Sequence, residues 1–263
     1  MTRFTNLEFA ENEEQHATPQ LVHAPAQTVL RPVTDDLHYL KLGDEKYLLG
    51  FYEDALKLYS RALSHNPNSI DGWVGQLRML LEMGELKEAK IWSGKSLELF
   101  RNNTDLLSLQ GVAHCRLGDK EKAIQFSDAA FEQQGAGSLY MWLVRGEVLL
   151  ASRGKQAAFA LEKAESMKGF TEWFRMLLVA RVFYFYRQYA QALQKTRDAL
   201  ELKANSPLAW HLLGNCQESM RQYKKAEKSY REALNLYPEY PPAHAAIKGL
   251  SGLSLFKRLI PSF

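Results

Sequence analysis

The 263-residue sequence has only two cysteines, Cys115 and Cys216, far apart and with no CxxC pair or histidine cluster around either. That excludes a disulfide-dense secreted scaffold and a zinc module, and it fits a reducing compartment such as the cytoplasm. Charge of one sign is also scarce. Against 33 Lys and Arg stand 30 Asp and Glu, so the net +3 is too balanced to demand nucleic acid or an anionic membrane as partner. No apolar run reaches bilayer length, and the longest, residues 176–186, is broken by Arg181. The N-terminal residues Met1 to Phe4, followed by Glu8, Glu11, Glu13 and Glu14, lack the apolar centre of a secretory signal. What is present, 46% apolar and 24% charged residues, is enough to bury a sizeable core.

Chemistry-bearing motifs are missing too. The seven histidines include no HExxH and no pair at ligand spacing on one helix. His114 and Cys115 are adjacent, and neighbours on a helix point in different directions. The run Arg153-Gly154-Lys155-Gln156 ends like a phosphate loop but lacks the upstream glycine and the Ser or Thr after the lysine, so it reads as a turn. Gly135-Ala136-Gly137 has no strand before it and reads as a linker. No catalytic residue, metal ligand or cofactor site is expected, and the chain reads as non-enzymatic.

What the sequence does have is a period. Ala55, Ala89, Ala123 and Ala157 stand 34 apart, Ala192 follows after 35 and Ala226 after 34. Seven residues beyond each comes another small residue: Ala62, Ser96, Ala130, Ala164, Ala199 and Ala233. A spacing of seven places both on one helical face. Twelve residues before the alanines lies a second small series, Gly43, Gly111, Ala180 and Gly214, with Gly146 one place out of step and Leu77 the exception. Four residues earlier a bulky residue recurs: Tyr39, Trp73, Leu107, Trp142, Met176 and Trp210. Two antiparallel helices approach closely only where one presents Gly or Ala, and a large side chain one turn away fills the space beside the contact. Each unit is therefore a helical hairpin. Gly50, Gly84, Gly118 and Gly154 fall where the first helix turns into the second, and Pro67 and Pro238 follow the second. No stretch shows period-2 alternation, so the fold class is all-α.

The residues Trp210, Leu213, Gly214, Tyr223, Ala226, Tyr230, Ala233 and Pro238, and again Tyr39, Leu42, Gly43, Tyr52, Ala55, Tyr59, Ala62 and Pro67, resemble the signature of the tetratricopeptide repeat family. The resemblance covers six units, 36–69, 70–103, 104–138, 139–172, 173–206 and 207–240, with a capping helix and tail over 241–263. The second unit departs from the pattern at Leu77 and Ser93, and the fourth loses one residue between its helices and regains it after them. Residues 1–35 differ in composition, with three prolines and an acidic cluster, and read as an extended or disordered arm. Two readings of the arm stay open: a free tail, or a segment laid in the groove of its own chain or a neighbour's. The tail residues Leu253, Leu255, Phe256, Leu259, Ile260 and Phe263 read as cover for the last hairpin, with a partner-docking tail or an interfacial membrane helix as the alternatives.

The resemblance implies a right-handed superhelical solenoid whose concave wall is lined by the first helix of each unit, and a function in holding a partner there. The implied wall includes Val74 and Arg78, Tyr140, Leu143 and Glu147, Phe174, Leu177, Arg181 and Tyr184, and His211 and Asn215. Tyr140, Leu143, Phe174, Leu177 and Tyr184 would form one apolar patch across two units. Arg78 and Arg181, at the same position of different units, would suit a ligand carboxylate. The clamp by which some family members hold a chaperone's C-terminal carboxylate is not matched by Leu40, Asp44, Gly75, Asp105 and Leu109. The expected function is an adaptor, scaffold or assembly chaperone that holds an extended or helical peptide segment of another protein. An RNA-binding helical repeat is the alternative, suggested by the surplus of basic residues after residue 35, although no basic position recurs through all six units.

Overall fold

The computed structural model describes residues 36–133 and 137–252. The acidic arm, the Gly135-Ala136 part of the linker and the apolar tail from Leu253 lie outside the described residues. Among the described residues thirteen α-helices follow one another: α1 Asp36–Leu49, α2 Tyr52–His65, α3 Ile70–Glu82, α4 Leu86–Leu99, α5 Thr104–Arg116, α6 Lys120–Glu132, α7 Leu139–Ala151, α8 Ala157–Ser166, α9 Glu172–Phe185, α10 Tyr189–Leu202, α11 Pro207–Ser219, α12 Tyr223–Leu236 and α13 Pro241–Gly252. The first twelve pair as six antiparallel hairpins stacked into a solenoid.

Local chemistry explains where the helices begin and end. Ser69, Asn103, Asp119, Ser138 and Ser206 accept the backbone N–H groups of Gly72, Leu106, Lys122, Met141 and Ala209, satisfying donors that the first turn leaves free. The first helix of each hairpin closes with a residue in the left-handed region: Gly50, Gly84 and Gly118, then Arg153, Arg187 and Arg221. The Gly84 N–H donates to the Leu81 carbonyl and the Glu85 N–H to the Leu80 carbonyl, the double bond that ends a helix at such a residue. In hairpin 4 the sequence pointed to Gly154 as this residue. It is Arg153 that takes the positive φ, and Gly154 follows it.

The small-residue series sits at the helix contacts. A Cβ on Gly43 would lie 2.8 Å from the Tyr59 ring, so α1 and α2 meet only because that side chain is absent. Ala55, Ala123, Ala192 and Ala226 are completely buried in the equivalent contacts. The out-of-step Gly146 faces Leu161 instead of an aromatic ring, and its hairpin has the shortest helix, α8 with 10 residues. Ala243 and Leu250 of α13 join Ala226, Tyr230 and Ala233 of α12 in one cluster, so α13 covers the apolar side of the last hairpin.

The winding of the solenoid positions the site. Every residue of α3 from Gly72 to Leu81, and of α5 from Leu106 to Cys115, is buried, so neither helix keeps a solvated concave stripe. Tyr47 of α1 reaches across the axis to Phe174 of α9, with ring centroids 5.1 Å apart, and to Phe170, at 5.8 Å. Phe51, in the turn of hairpin 1, packs against Tyr237 and Tyr240 beyond hairpin 6 at 5.3 and 5.6 Å. Six hairpins thus bring the chain round until its first hairpin touches its last, and bulky side chains fill most of the axis.

Candidate functional site

The filled axis changes the standing of several residues expected on an open wall. Phe174 and Leu177 are 0% exposed, and Val74 and Leu143 are buried with them, so these four belong to the core. The expected apolar patch is closed off because aromatic rings from opposite hairpins meet across a narrow axis, which buries apolar surface that an open groove would leave in water. Tyr140 and Tyr184 are half-buried.

The arginines are likewise taken up by the protein itself. Arg78, 8% exposed, lies 4.9 to 5.8 Å from the ring centroids of Tyr47, Tyr59, Tyr140 and Phe170. It donates to the Tyr140 hydroxyl and sits 3.6 Å from Asp44, whose Oδ1 also accepts from the Tyr59 hydroxyl at 2.6 Å. Arg181 donates to Glu82 and to the Tyr52 hydroxyl, and stacks over the Tyr52 ring at 4.8 Å. Arg116 makes a two-pronged contact with Glu147, at 2.8 and 3.0 Å, and reaches the Leu81 carbonyl at 3.1 Å. Glu147, 2% exposed, also accepts from the Tyr186 hydroxyl at 3.3 Å. Desolvation works against the charge on Arg116, and the facing Glu147 carboxylate, helped by Glu82 and Tyr186, more than offsets it, so the guanidinium stays protonated. Burial pushes the phenols of Tyr47, Tyr52, Tyr59 and Tyr140 up, so they stay neutral beside these cations. Arg78 and Arg181 are therefore not free for a ligand carboxylate, contrary to the expectation from their matching positions. Arg78 ties α3 to α7, Arg116 ties α5 to α7, and Arg181 ties α9 to α2 and α3.

The described residues enclose a cavity of about 520 Å³. The ends of the first helices in hairpins 2, 3 and 5 contribute Leu81, Glu82, Met83, Arg116, Arg181, Tyr184 and Phe185. Hairpin 1 adds Gly50 and Tyr52, hairpin 6 adds Leu208, His211, Leu212 and Asn215, and Tyr240 and Pro242 close the side next to α13. Of the residues expected from the sequence, Arg181, Tyr184, His211 and Asn215 are brought together here, whereas Val74, Arg78, Tyr140, Leu143, Glu147, Phe174 and Leu177 are not. Tyr52, Glu82, Phe185 and Tyr240 were missed. Tyr52 stands at a signature position of the repeat and the other three do not, and none of the four is marked as a site residue, because they become neighbours only through the winding that brings hairpins 1, 2, 5 and 6 together.

The cavity is mainly apolar, with its charges neutralised in pairs. Burial, reinforced by the nearby Arg181 charge, pushes His211 down to about 4, so its ring is neutral at physiological pH. The Asn215 side-chain oxygen accepts from the Tyr230 hydroxyl at 2.9 Å. The buried Tyr240 hydroxyl has no hydrogen-bond partner among the described residues. Among those residues no group of three His, Cys, Asp or Glu is placed to hold a metal, and no helix is long and apolar enough to cross a membrane.

Tetratricopeptide repeat family models match residues 40–92 and 207–240. No curated protein matches the sequence. Among solved structures, the chain is similar to the Cut9–Hcn1 hetero-tetramer of the APC/C, with 15% identity over 84% of this chain and a TM-score of 0.48; it spans 44% of that chain's length. It is similar to TTC0263, a thermophilic TPR protein of Thermus thermophilus, with 20% identity over 82% of this chain and 98% of that one and a TM-score of 0.48. It is also similar to YrrB, a TPR protein with an unusual peptide-binding site, with 17% identity over 72% and 97% of the two chains and a TM-score of 0.40. The family models fall on α1 to α4 and on α11 with α12, where the small and aromatic signature residues make the helix contacts described above, and the protein is a tetratricopeptide-repeat protein.

Proposed function

We propose that the protein is a non-enzymatic interaction module, an adaptor or scaffold, that holds a peptide segment of a partner protein by an apolar side chain set into the cavity between hairpins 1, 2, 3, 5 and 6. Tetratricopeptide repeats generally mediate protein–protein interactions. The observation that carries the reading is the composition of the cavity: apolar and aromatic walls of Leu81, Met83, Tyr184, Phe185, Leu208 and Leu212, with His211 and Asn215 as neutral polar groups. Such a site gains affinity from a buried anchor and direction from a few hydrogen bonds. A volume of about 520 Å³ admits an aromatic or long aliphatic side chain with part of its backbone. Both cysteines are free and buried, which suits a reducing, cytoplasmic setting.

Peptide display on the full chain tests this. Peptides enriched by the wild type carry an aromatic or long aliphatic anchor and lose at least about tenfold in affinity to Phe185→Ser, the removal of one apolar anchor contact. Phe185 is 45% exposed but its ring also lies 4.6 Å from the Arg116 guanidinium, so urea unfolding of the variant separates lost binding from lost stability. Equal affinity for both proteins, or enrichment without an apolar anchor, refutes the cavity as the binding site.

A further inference from the structure

The cavity and the end of the described chain lie on one rim of the solenoid. Gly50 and Gly84, in the turns of hairpins 1 and 2, border the cavity, together with Arg116 and Phe185 at the ends of α5 and α9. Phe185 is 45% exposed, so the site is reached from solvent at this rim. α12 starts at the turn of hairpin 6, and α13 returns along it after residues 237–240, so the chain leaves Gly252 on the turn rim as well. Residues 253–263 follow, with Leu253, Leu255, Phe256, Leu259, Ile260 and Phe263 as their apolar members. α13 gives these side chains little to cover. Its exposed residues His244, Ala245, Lys248, Gly249 and Ser251 are polar or small.

Reach and charge select the occupant. α13 packs on α12, and α12 packs on α11, which lines the cavity with Leu208, His211, Leu212 and Asn215. Two packing steps of about 8–10 Å each therefore separate α13 from that wall. Residues 253–263, fully extended, span up to about 36 Å, so the segment reaches the cavity with length to spare. Its charges are Lys257 and Arg258, and the turns that border the cavity are acidic: residues 50–54 hold two acidic residues and no basic one, and 82–88 hold three against one. The N-terminal arm fits less well, because it enters α1 at Asp36 on the opposite rim and carries five acidic residues against two basic ones. We propose that residues 253–263 fold back over the turn rim and set apolar side chains into the cavity of their own chain, so that a partner's anchor has to displace them. This rests on the reading of the cavity as a site for an apolar anchor.

Fluorescence anisotropy on the full chain, with a labelled peptide of the sequence of residues 253–263, provides the test. Phe256→Ser, Leu259→Ser, Ile260→Ser and Phe263→Ser together make the segment polar and leave every described residue unchanged. This quadruple variant should bind the peptide at least about tenfold more tightly than the wild type, whose own segment competes at an effective concentration in the millimolar range. Adding Phe185→Ser should take that gain away, with urea unfolding as the check that the variant is folded. A nitroxide on Ser262→Cys gives a second measurement, since both native cysteines are buried. It should broaden the methyl signals of Leu208 and Leu212 independently of protein concentration. Equal peptide affinity of the wild type and the quadruple variant, or no binding by either, overturns the proposal. Broadening that passes only between labelled and unlabelled copies overturns the same-chain assignment. A gain in affinity that comes instead from Phe4→Ser, Leu7→Ser and Phe9→Ser would give the cavity to the arm and overturn it as well. The two assignments fail separately: if display-selected peptides still lose affinity to Phe185→Ser while the tail peptide does not bind, the cavity remains the partner site and only its resident segment is wrong.

Discussion

Replacing Glu147 by alanine puts the closed axis to a quantitative test. The carboxylate accepts two hydrogen bonds from Arg116, at 2.8 and 3.0 Å, and one from Tyr186, at 3.3 Å, while its own side chain is 2% exposed. Arg116 is 12% exposed, so neither charge is hydrated as it would be on a surface. At an effective dielectric constant of 20, two unit charges about 4 Å apart attract by about 4 kcal/mol, and desolvation offsets much of that in the intact pair. Removing one partner leaves the desolvation penalty of the other uncompensated. The expected loss is therefore about 3–5 kcal/mol. An exposed pair would lose only about 0–1 kcal/mol. The double variant Glu147→Met with Arg116→Met removes both charges and should recover most of the loss, because the cost lies in the orphaned guanidinium. Urea unfolding followed by circular dichroism gives all four corners of the cycle, and hydrogen exchange should place the lost protection in α5 and α7. A loss of under about 1 kcal/mol in Glu147→Ala would mean that water reaches the pair, and the filled axis would be wrong.

Two further outcomes follow from the same packing. Leu177→Glu should unfold or strongly destabilise the solenoid, since a carboxylate would replace a side chain that is 0% exposed; a melting temperature close to that of the wild type would return Leu177 to an open wall. Because His211 is pushed down to about 4 in the folded chain, from the ordinary histidine value of 6.5, the unfolded chain binds the extra proton between those values, so stability is lost as pH falls from about 6.5 towards 4. The slope from this one group is about 1.4 kcal/mol per pH unit at most. His211→Gln should remove that component of the pH-dependent urea midpoint, and an unchanged pH profile in the variant would refute the assignment.

The repeat was legible because its causes are local. Alanine and glycine at fixed intervals are required wherever two helices of one hairpin touch, and that contact involves residues about 16 apart, as with Gly43 and Tyr59. The turns of hairpins 1 to 3 were legible for the same reason; in hairpin 4 the sequence offers Arg153 and Gly154 side by side and the geometry of the closing hydrogen bonds selects the arginine, and in hairpins 5 and 6 no glycine marks the turns that Arg187 and Arg221 make. The candidate site was only partly legible. The phase of the first helices was sound enough to bring Arg181, Tyr184, His211 and Asn215 together on one cavity.

By itself, then, the sequence determined the helical hairpins and the face on which each presents its first helix, because propensity, capping and intra-hairpin packing act over a few tens of residues. It did not determine how tightly the hairpins wind. That depends on small rotations between neighbours, accumulated over six hairpins until residues more than a hundred positions apart meet, as Tyr47 meets Phe174 and Phe51 meets Tyr240. The same accumulation turned an expected open apolar wall into core, gave the two matching arginines partners inside the chain, and left a cavity walled in part by Tyr52 and Tyr240, which share no repeat position. Only the tertiary structure decided these points, since a long-range contact is set by the sum of all the packing angles between its ends and by none of them alone.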